Sequence, residues 1–200
     1  MSKPTVTLAS GNAHKCEEFE AMLGMPIRSL KDVPNAPDFV EDGDTFEANA
    51  LIKARGLRDL IGDWALADDS GLAVDALDGA PGIFSARFAG EHGNDAANNH
   101  LLLEKLQDVA NRSAQFVCVL ALCGPDGEEW VIRGECKGAI AHQASGAKGF
   151  GYDPLFHPTG YDQSFAELGE DVKHKISHRS VALEKILAHP DNPLARFLDR

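Results

Sequence analysis

Residues Phe116 to Cys123 read Phe-Val-Cys-Val-Leu-Ala-Leu-Cys, the longest unbroken apolar run in the chain. A strand with no polar face must be covered on both sides, so it belongs in the interior of a sheet. The run is far too short to cross a bilayer. Pro125-Asp126-Gly127 turns the chain. Trp130 to Cys136 then alternates as an antiparallel partner would.

Around this strand the pattern switches repeatedly between strand and helix. Thr5 to Ala9 reads as a short strand, Ser10-Gly11-Asn12 as a turn, and Asn12 as the N-cap of a helix. Cys16, Phe19, Met22 and Leu23 share one face of that helix, and Gly24 stops it. Residues 31–44 are rich in Pro, Asp and Gly and read as a loop. Asp44 and Glu47 resemble a capping box. Phe46, Ala50, Ala54, Leu57 and Ile61 keep helical spacing, with Asn49 and Lys53 on a polar face. Trp64–Ala67 and Leu72–Val74 read as two strands joined by Asp68-Asp69-Ser70-Gly71. A turn at 77–82, a helix over 94–106, a Gly-rich loop at 146–154 and a helix over 178–187 complete the pass. The expectation is an α/β fold: a mixed central sheet flanked by helices, in one domain.

With 200 residues, 44% of them hydrophobic, the chain can bury a sizeable core. Its net charge of -12 argues against nucleic acid or an anionic membrane as partner. An anionic small molecule stays possible, because a few local cations and helix N-termini suffice to hold one. The four cysteines form no Cys-x-x-Cys pair and read as reduced thiols of a cytoplasmic protein. The N-terminus lacks a signal-peptide pattern. The eight histidines show no zinc spacing, and most read as surface residues. No Gly-x-Ser-x-Gly elbow is present, so water activated by a metal is a better expectation than a nucleophilic side chain.

Four segments could carry chemistry. The turn before the first helix presents backbone N–H groups and Lys15 to an anion, though it is no P-loop and, taken alone, reads first as an ordinary capped helix. Asp68 and Asp69 follow an apolar strand, where open α/β sheets place ligands. Alternation along a strand sends one acid into a site and the other to a supporting role. Taken alone they read equally as solvated turn acids. Glu41 is the candidate second ligand for Mg²⁺, which takes one or two carboxylates plus substrate phosphates. In Gly149-Phe150-Gly151-Tyr152-Asp153-Pro154 either aromatic could stack on a planar ring, or both could serve the core. Finally, Ser177 reads as a helix cap followed by His178 and Arg179. The helix dipole disfavours cations there, which suggests an exposed pair serving a ligand, beside the plainer reading of a solvated basic face.

Taken together, the segments are specific. Ser-Gly-Asn-x-x-Lys at 10–15, Phe-x-x-Asn-Ala at 46–50 and Ala-Asp-Asp-Ser-Gly-Leu at 67–72 come first. Gly-Ala-Pro-Gly at 79–82, Gly-Phe-Gly-Tyr-Asp-Pro at 149–154 and Ser-His-Arg at 177–179 follow. This series resembles the inosine/xanthosine triphosphate pyrophosphatase family, from Thr7 to about Leu187. The resemblance implies a single pyrophosphatase domain over 1–200, Mg²⁺ as cofactor and a homodimer. It implies hydrolysis of ITP, dITP and XTP to the monophosphate and pyrophosphate, clearing deaminated purines from the nucleotide pool.

Residue by residue, the resemblance assigns Ser10, Gly11, Asn12, Ala13, His14 and Lys15 to the phosphate-binding turn and Lys53 to a second phosphate-facing cation. It gives Asp69 the roles of metal ligand and proton acceptor, with Glu41 as a metal ligand and Ser70 as a substrate contact. Phe150, Gly151, Tyr152, Asp153, Lys173, His178 and Arg179 fall to the nucleoside. Arg179 and backbone N–H groups near Phe150–Asp153 are the expected donors to the 6-keto oxygen that adenine lacks. Two other readings are a pyrophosphatase for modified pyrimidine nucleotides and a nucleotide-binding module without catalysis.

Overall fold

In the computed structural model, which describes residues 6–191 and 194–198, the apolar run lies in strand Ser113–Cys123. Every residue from Phe116 to Cys123 is buried. The strands are β1 (Thr7–Leu8), β2 (Arg28–Ser29), β3 (Ala65–Val74), β4 (Ser113–Cys123), β5 (Glu129–Ile140) and β6 (Phe156–Pro158). They form one sheet in the order β2-β1-β3-β4-β5-β6, which puts the apolar strand in its interior. β1 runs parallel to β2 and to β3, while β5 and β6 are antiparallel, so the sheet is mixed as expected. The helices are α1 (Ala13–Leu23), α2 (Phe46–Ile61), α3 (Asp95–Lys105), α4 (Phe165–Leu168), α5 (Glu170–Ile176), α6 (His178–Leu187) and α7 (Ala195–Leu198). Among the described residues no helix is long and apolar enough to cross a membrane.

The chain divides into two compact units. The first comprises residues 1–69, 118–134 and 182–200. Alternate residues of β4, Cys118, Leu120 and Leu122, pack there with Leu8, Phe19, Leu66 and Ile186. Asn12 caps α1 through its side chain, and Gly24 ends it in the left-handed region. Phe46, Ala50, Ala54 and Leu57 bury one face of α2. The second unit comprises residues 70–117 and 135–181. Leu72, Val74, Leu102, Leu106, Phe116, Tyr152, Phe156 and Phe165 form its core. Phe156 stands 4.6 Å from Phe116 and 5.4 Å from Phe165, ring centre to ring centre. The Arg112 guanidinium donates to the carbonyls of Leu106, Ile140 and Ala141 at 2.7–2.8 Å, which joins the end of α3 to the end of β5.

Several local expectations are corrected. Asp68-Asp69-Ser70-Gly71 is no turn: it is the middle of one continuous strand, β3. Two acids can stand in a buried strand because each meets a cation there. α2 is capped by Thr45, whose hydroxyl accepts from Ala48 N at 3.1 Å, and not by Asp44. Both residue types can cap, and Thr45 stands one position nearer the apolar register. Asn49 and Lys53 are buried and do not form a polar face. β2, β6, α4 and α5 were not anticipated. They are short: β2 and β6 are fixed by pairing, and α4 by the capping box of Ser164 and Glu167, more than by periodicity.

Gly138 is set by close approach. A Cβ there would strike the His157 carbonyl oxygen and the Phe156 ring across the β5–β6 pairing. Gly138→Ala should therefore lower unfolding free energy by about 1–3 kcal/mol, read as a drop in urea midpoint at unchanged m-value.

Candidate active site

The first unit gathers charge around the end of its portion of β3. Asp68 and Asp69 are adjacent on a strand, so their side chains leave on opposite faces. Asp68 is fully buried. Its Oδ1 meets the Lys15 ammonium, and its Oδ2 lies 3.2 Å from the Cys118 thiol on β4. Asp69 accepts through Oδ1 from Lys53 Nζ at 3.1 Å. The same ammonium donates to Glu41 Oε1 at 2.6 Å and to the Asp68 carbonyl at 2.9 Å. Glu41 comes from the loop before α2, which Asn49 holds by accepting from Gly43 N at 2.9 Å.

The electrostatics of this group are unequal. Burial pulls the Lys53 ammonium down, but the Asp69 and Glu41 carboxylates outweigh it and hold its pKa above the ordinary lysine value. Burial pushes the Asp69 carboxyl up. Lys53 opposes this and Glu41 reinforces it, and the net shift is upward. Lys53 has two acids in contact, whereas Asp69 has one cation and a like charge behind it. Asp69 also keeps its other oxygen, Oδ2, buried and without a hydrogen-bond partner among the described residues. A buried bare carboxylate oxygen is costly unless something binds it.

The segment 10–15 runs from the turn at Ser10–Asn12 into the first residues of α1. Ser10 Oγ accepts from Asn12 N at 3.1 Å, and the Ser10 carbonyl accepts from Leu30 N and from Ser29 Oγ, each at 3.2 Å. Asn12, Ala13 and His14 are exposed at the helix start, and Lys15 is half-buried. These residues do stand together, but Lys15 is turned onto Asp68.

The second unit holds the other group. Asp153 is buried and accepts through Oδ2 from Phe150 N at 3.0 Å and from Lys173 Nζ at 2.8 Å. The Lys173 ammonium also lies 4.5 Å from the centre of the Phe150 ring, a cation–π contact. Gly149 is required here, since a Cβ would collide with the Asp153 carboxylate. Arg179 Nη2 donates to Ser70 Oγ at 3.1 Å.

Two expectations change. Arg179 and His178 are not an exposed pair: they are 1% and 5% accessible, and His178 stacks on Phe116 at 4.9 Å. Ser177 caps α6 as expected, accepting from Ser180 N at 3.2 Å. The Tyr152 ring belongs to the core, and its hydroxyl donates to the Ser85 carbonyl at 2.8 Å, which leaves Phe150 as the aromatic able to meet a ring. Sequence reasoning missed Cys118, an unremarkable member of an apolar run. It also missed Asp95 and Asn99 of α3, which bond Gly151. The signal for Asn99 was available: asparagine is a poor choice for a helix interior.

Lys15 and Asp68 form a buried pair whose members cannot be lost independently. Lys15→Met should cost about 3–5 kcal/mol, because it strands the Asp68 carboxylate. The double variant Lys15→Met with Asp68→Asn should lose less than the sum of the two single variants, with a coupling of about 1–3 kcal/mol in urea unfolding.

Known proteins share this sequence and fold. The model of the Ham1 family matches residues 6–189. A dITP/XTP pyrophosphatase of Exiguobacterium sp. is 50% identical, over 90% of this chain and 94% of its own length. A dITP/XTP pyrophosphatase of Leifsonia xyli is 48% identical, over 98% and 97%. The solved structure of the Staphylococcus aureus Ham1 protein superposes with a TM-score of 0.84 at 40% identity, covering 92% of this chain and 96% of that one. A HAM1 protein from Coxiella burnetii gives 0.84 at 39%, covering 92% and 96%.

Proposed function

The chain belongs to the Ham1 family, and from that premise we propose that it hydrolyses nonstandard purine nucleoside triphosphates, dITP, ITP and XTP, to the monophosphate and pyrophosphate. The observation that carries the chemistry is Asp69: a buried carboxylate with one oxygen on Lys53 and the other without a hydrogen-bond partner among the described residues. Asp69 orients the attacking water and accepts its proton.

Mg²⁺ fits the donors present. Among the described residues no three His, Cys, Asp or Glu side chains converge as a cage. A site of two carboxylates completed by substrate phosphates and water is the arrangement Mg²⁺ accepts. Glu41 and Asp69 would hold it, since both already converge on one cation, the Lys53 ammonium. When bound it supplies charge neutralisation and polarisation of water. Ser10 to Lys15 hold phosphate through the N–H groups of the turn and the Lys15 charge, with Lys53 as a second cation. Phe150 meets the base, and Ser70, Gly151, Tyr152, Asp153, Lys173, His178 and Arg179 shape the nucleoside's surroundings. Arg179 and backbone N–H groups of the 150–153 loop donate to the 6-keto oxygen, and an adenine amino group leaves such donors unpaired. The same reading carries a homodimer acting in the cytoplasm.

The test is pyrophosphate release with Mg²⁺ from ITP, dITP, XTP, GTP, ATP and modified pyrimidine triphosphates. ITP or XTP should exceed ATP in kcat/KM by about 10²-fold or more. Equal rates on ATP would sink the substrate assignment, preference for a modified pyrimidine would replace it, and binding without turnover would leave a non-catalytic module. Asp69→Asn should keep the fold and lower kcat by about 10²–10⁴-fold.

A further inference from the structure

The Gly149–Asp153 loop is held from a direction that the proposed site does not use. The Gly151 amide N–H donates to Asp95 Oδ2 at 2.7 Å, and the Gly151 carbonyl accepts from Asn99 Nδ2 at 2.9 Å. Both groups belong to α3 and stand four residues apart, so they lie on one face of the helix. A single residue of the loop is thus bonded through both of its main-chain polar groups by two side chains of one rigid element.

Gly151 has φ +60°, a conformation a side chain would strain. The residue before it is Phe150, whose N–H is fixed by Asp153 and whose ring faces Lys173. Asp153 and Lys173 act on the Phe150 side of the loop; Asp95 and Asn99 act at the next residue. A loop held by Asp153 alone could still pivot about the Phe150–Gly151 peptide, and the grip from α3 removes that freedom. Asn99 serves no helix-forming purpose, and its Oδ1 is buried without a hydrogen-bond partner among the described residues. The side chain is kept for what its amide nitrogen does.

We infer that Asp95 and Asn99 are positioning residues for base selection: they fix the aromatic ring and the main-chain donors of the 150–153 loop at the spacing that a 6-keto purine requires. This rests on the proposed nucleoside role of that loop. Neither residue touches the substrate, and both act through Gly151.

The distinguishing readout is the ratio of kcat/KM for ITP over ATP, which general destabilisation would leave unchanged because it removes active enzyme for both substrates alike. Asp95→Ala and Asn99→Asp should each lower that ratio about ten-fold, the worth of one oriented hydrogen bond. The Asn99→Asp change keeps the shape and replaces the donor by an acceptor facing a carbonyl. Asp95→Asn, which keeps an acceptor for the Gly151 N–H, should restore the ratio to within about two-fold of the parent. Hydrogen exchange of the peptide covering residues 149–154 should quicken in the first two variants and not in the third. A ratio unmoved by Asp95→Ala and Asn99→Asp, with exchange quickened, would overturn the inference, as would exchange unchanged in both. A parent enzyme that does not distinguish ITP from ATP would instead remove the substrate assignment. The exchange measurement would then still decide whether α3 holds the loop.

Discussion

The Lys53 ammonium is the interaction on which the first unit's site depends. It is buried and touches three oxygens: Glu41 from a loop, Asp69 from β3, and the Asp68 carbonyl. A lysine in such a place would ordinarily lose its charge, and burial does push in that direction. The surrounding carboxylates reverse it. The consequence runs both ways, because without the ammonium two acids would face each other in a medium that tolerates neither. The same contact brings Glu41 to β3, beside the bond by which Asn49 holds Gly43 of that loop.

This arrangement explains how a strand can carry two consecutive aspartates through its buried course. Asp68 faces Lys15 and the Cys118 thiol; Asp69 faces Lys53. One strand therefore serves two helices, with α1 sending Lys15 to one face and α2 sending Lys53 to the other. The two acids differ in what remains of them. Asp68 has a partner on each oxygen and is fully spent on structure. Asp69 retains a buried oxygen with no hydrogen-bond partner among the described residues, and such an oxygen is costly unless something binds it. Alternation in β3 thus separates the acid paired on both oxygens from the acid paired on one.

Much of the scaffold was legible because its signals are local. The apolar run of β4 demanded an interior strand, Asn12 and Gly24 bracketed α1, and Ser177 marked the start of α6. The errors share a cause. Asp68 to Gly71 was read as a turn because aspartate, serine and glycine avoid strands as a matter of propensity. Their partners, Lys15, Lys53 and Arg179, lie far away in sequence. Arg179 and His178 were read as exposed for the same reason. A cation at a helix N-terminus is ill placed with respect to the dipole, but the pattern carried no trace of Phe116 or Ser70, which cover and bind the pair. Tertiary partners override local preference where buried charge is neutralised pairwise.

The 149–154 loop shows the same logic without charge burial as its driver. Its glycines let the chain come close to Asp153 and turn through the left-handed region, but they do not say where the loop should stop. Glycine widens the conformations open to a segment, so its use in a recognition loop must be offset by contacts that narrow them again. Asp153 does so from within the loop, Lys173 from α5, and Asp95 with Asn99 from α3. The Tyr152 hydroxyl adds a further tether to the Ser85 carbonyl. Ser85 in turn accepts from Leu72 N, so the loop is tied back to β3. A loop made permissive by its glycines is thus fixed from several independent elements, and the Phe150 ring it carries is held with it.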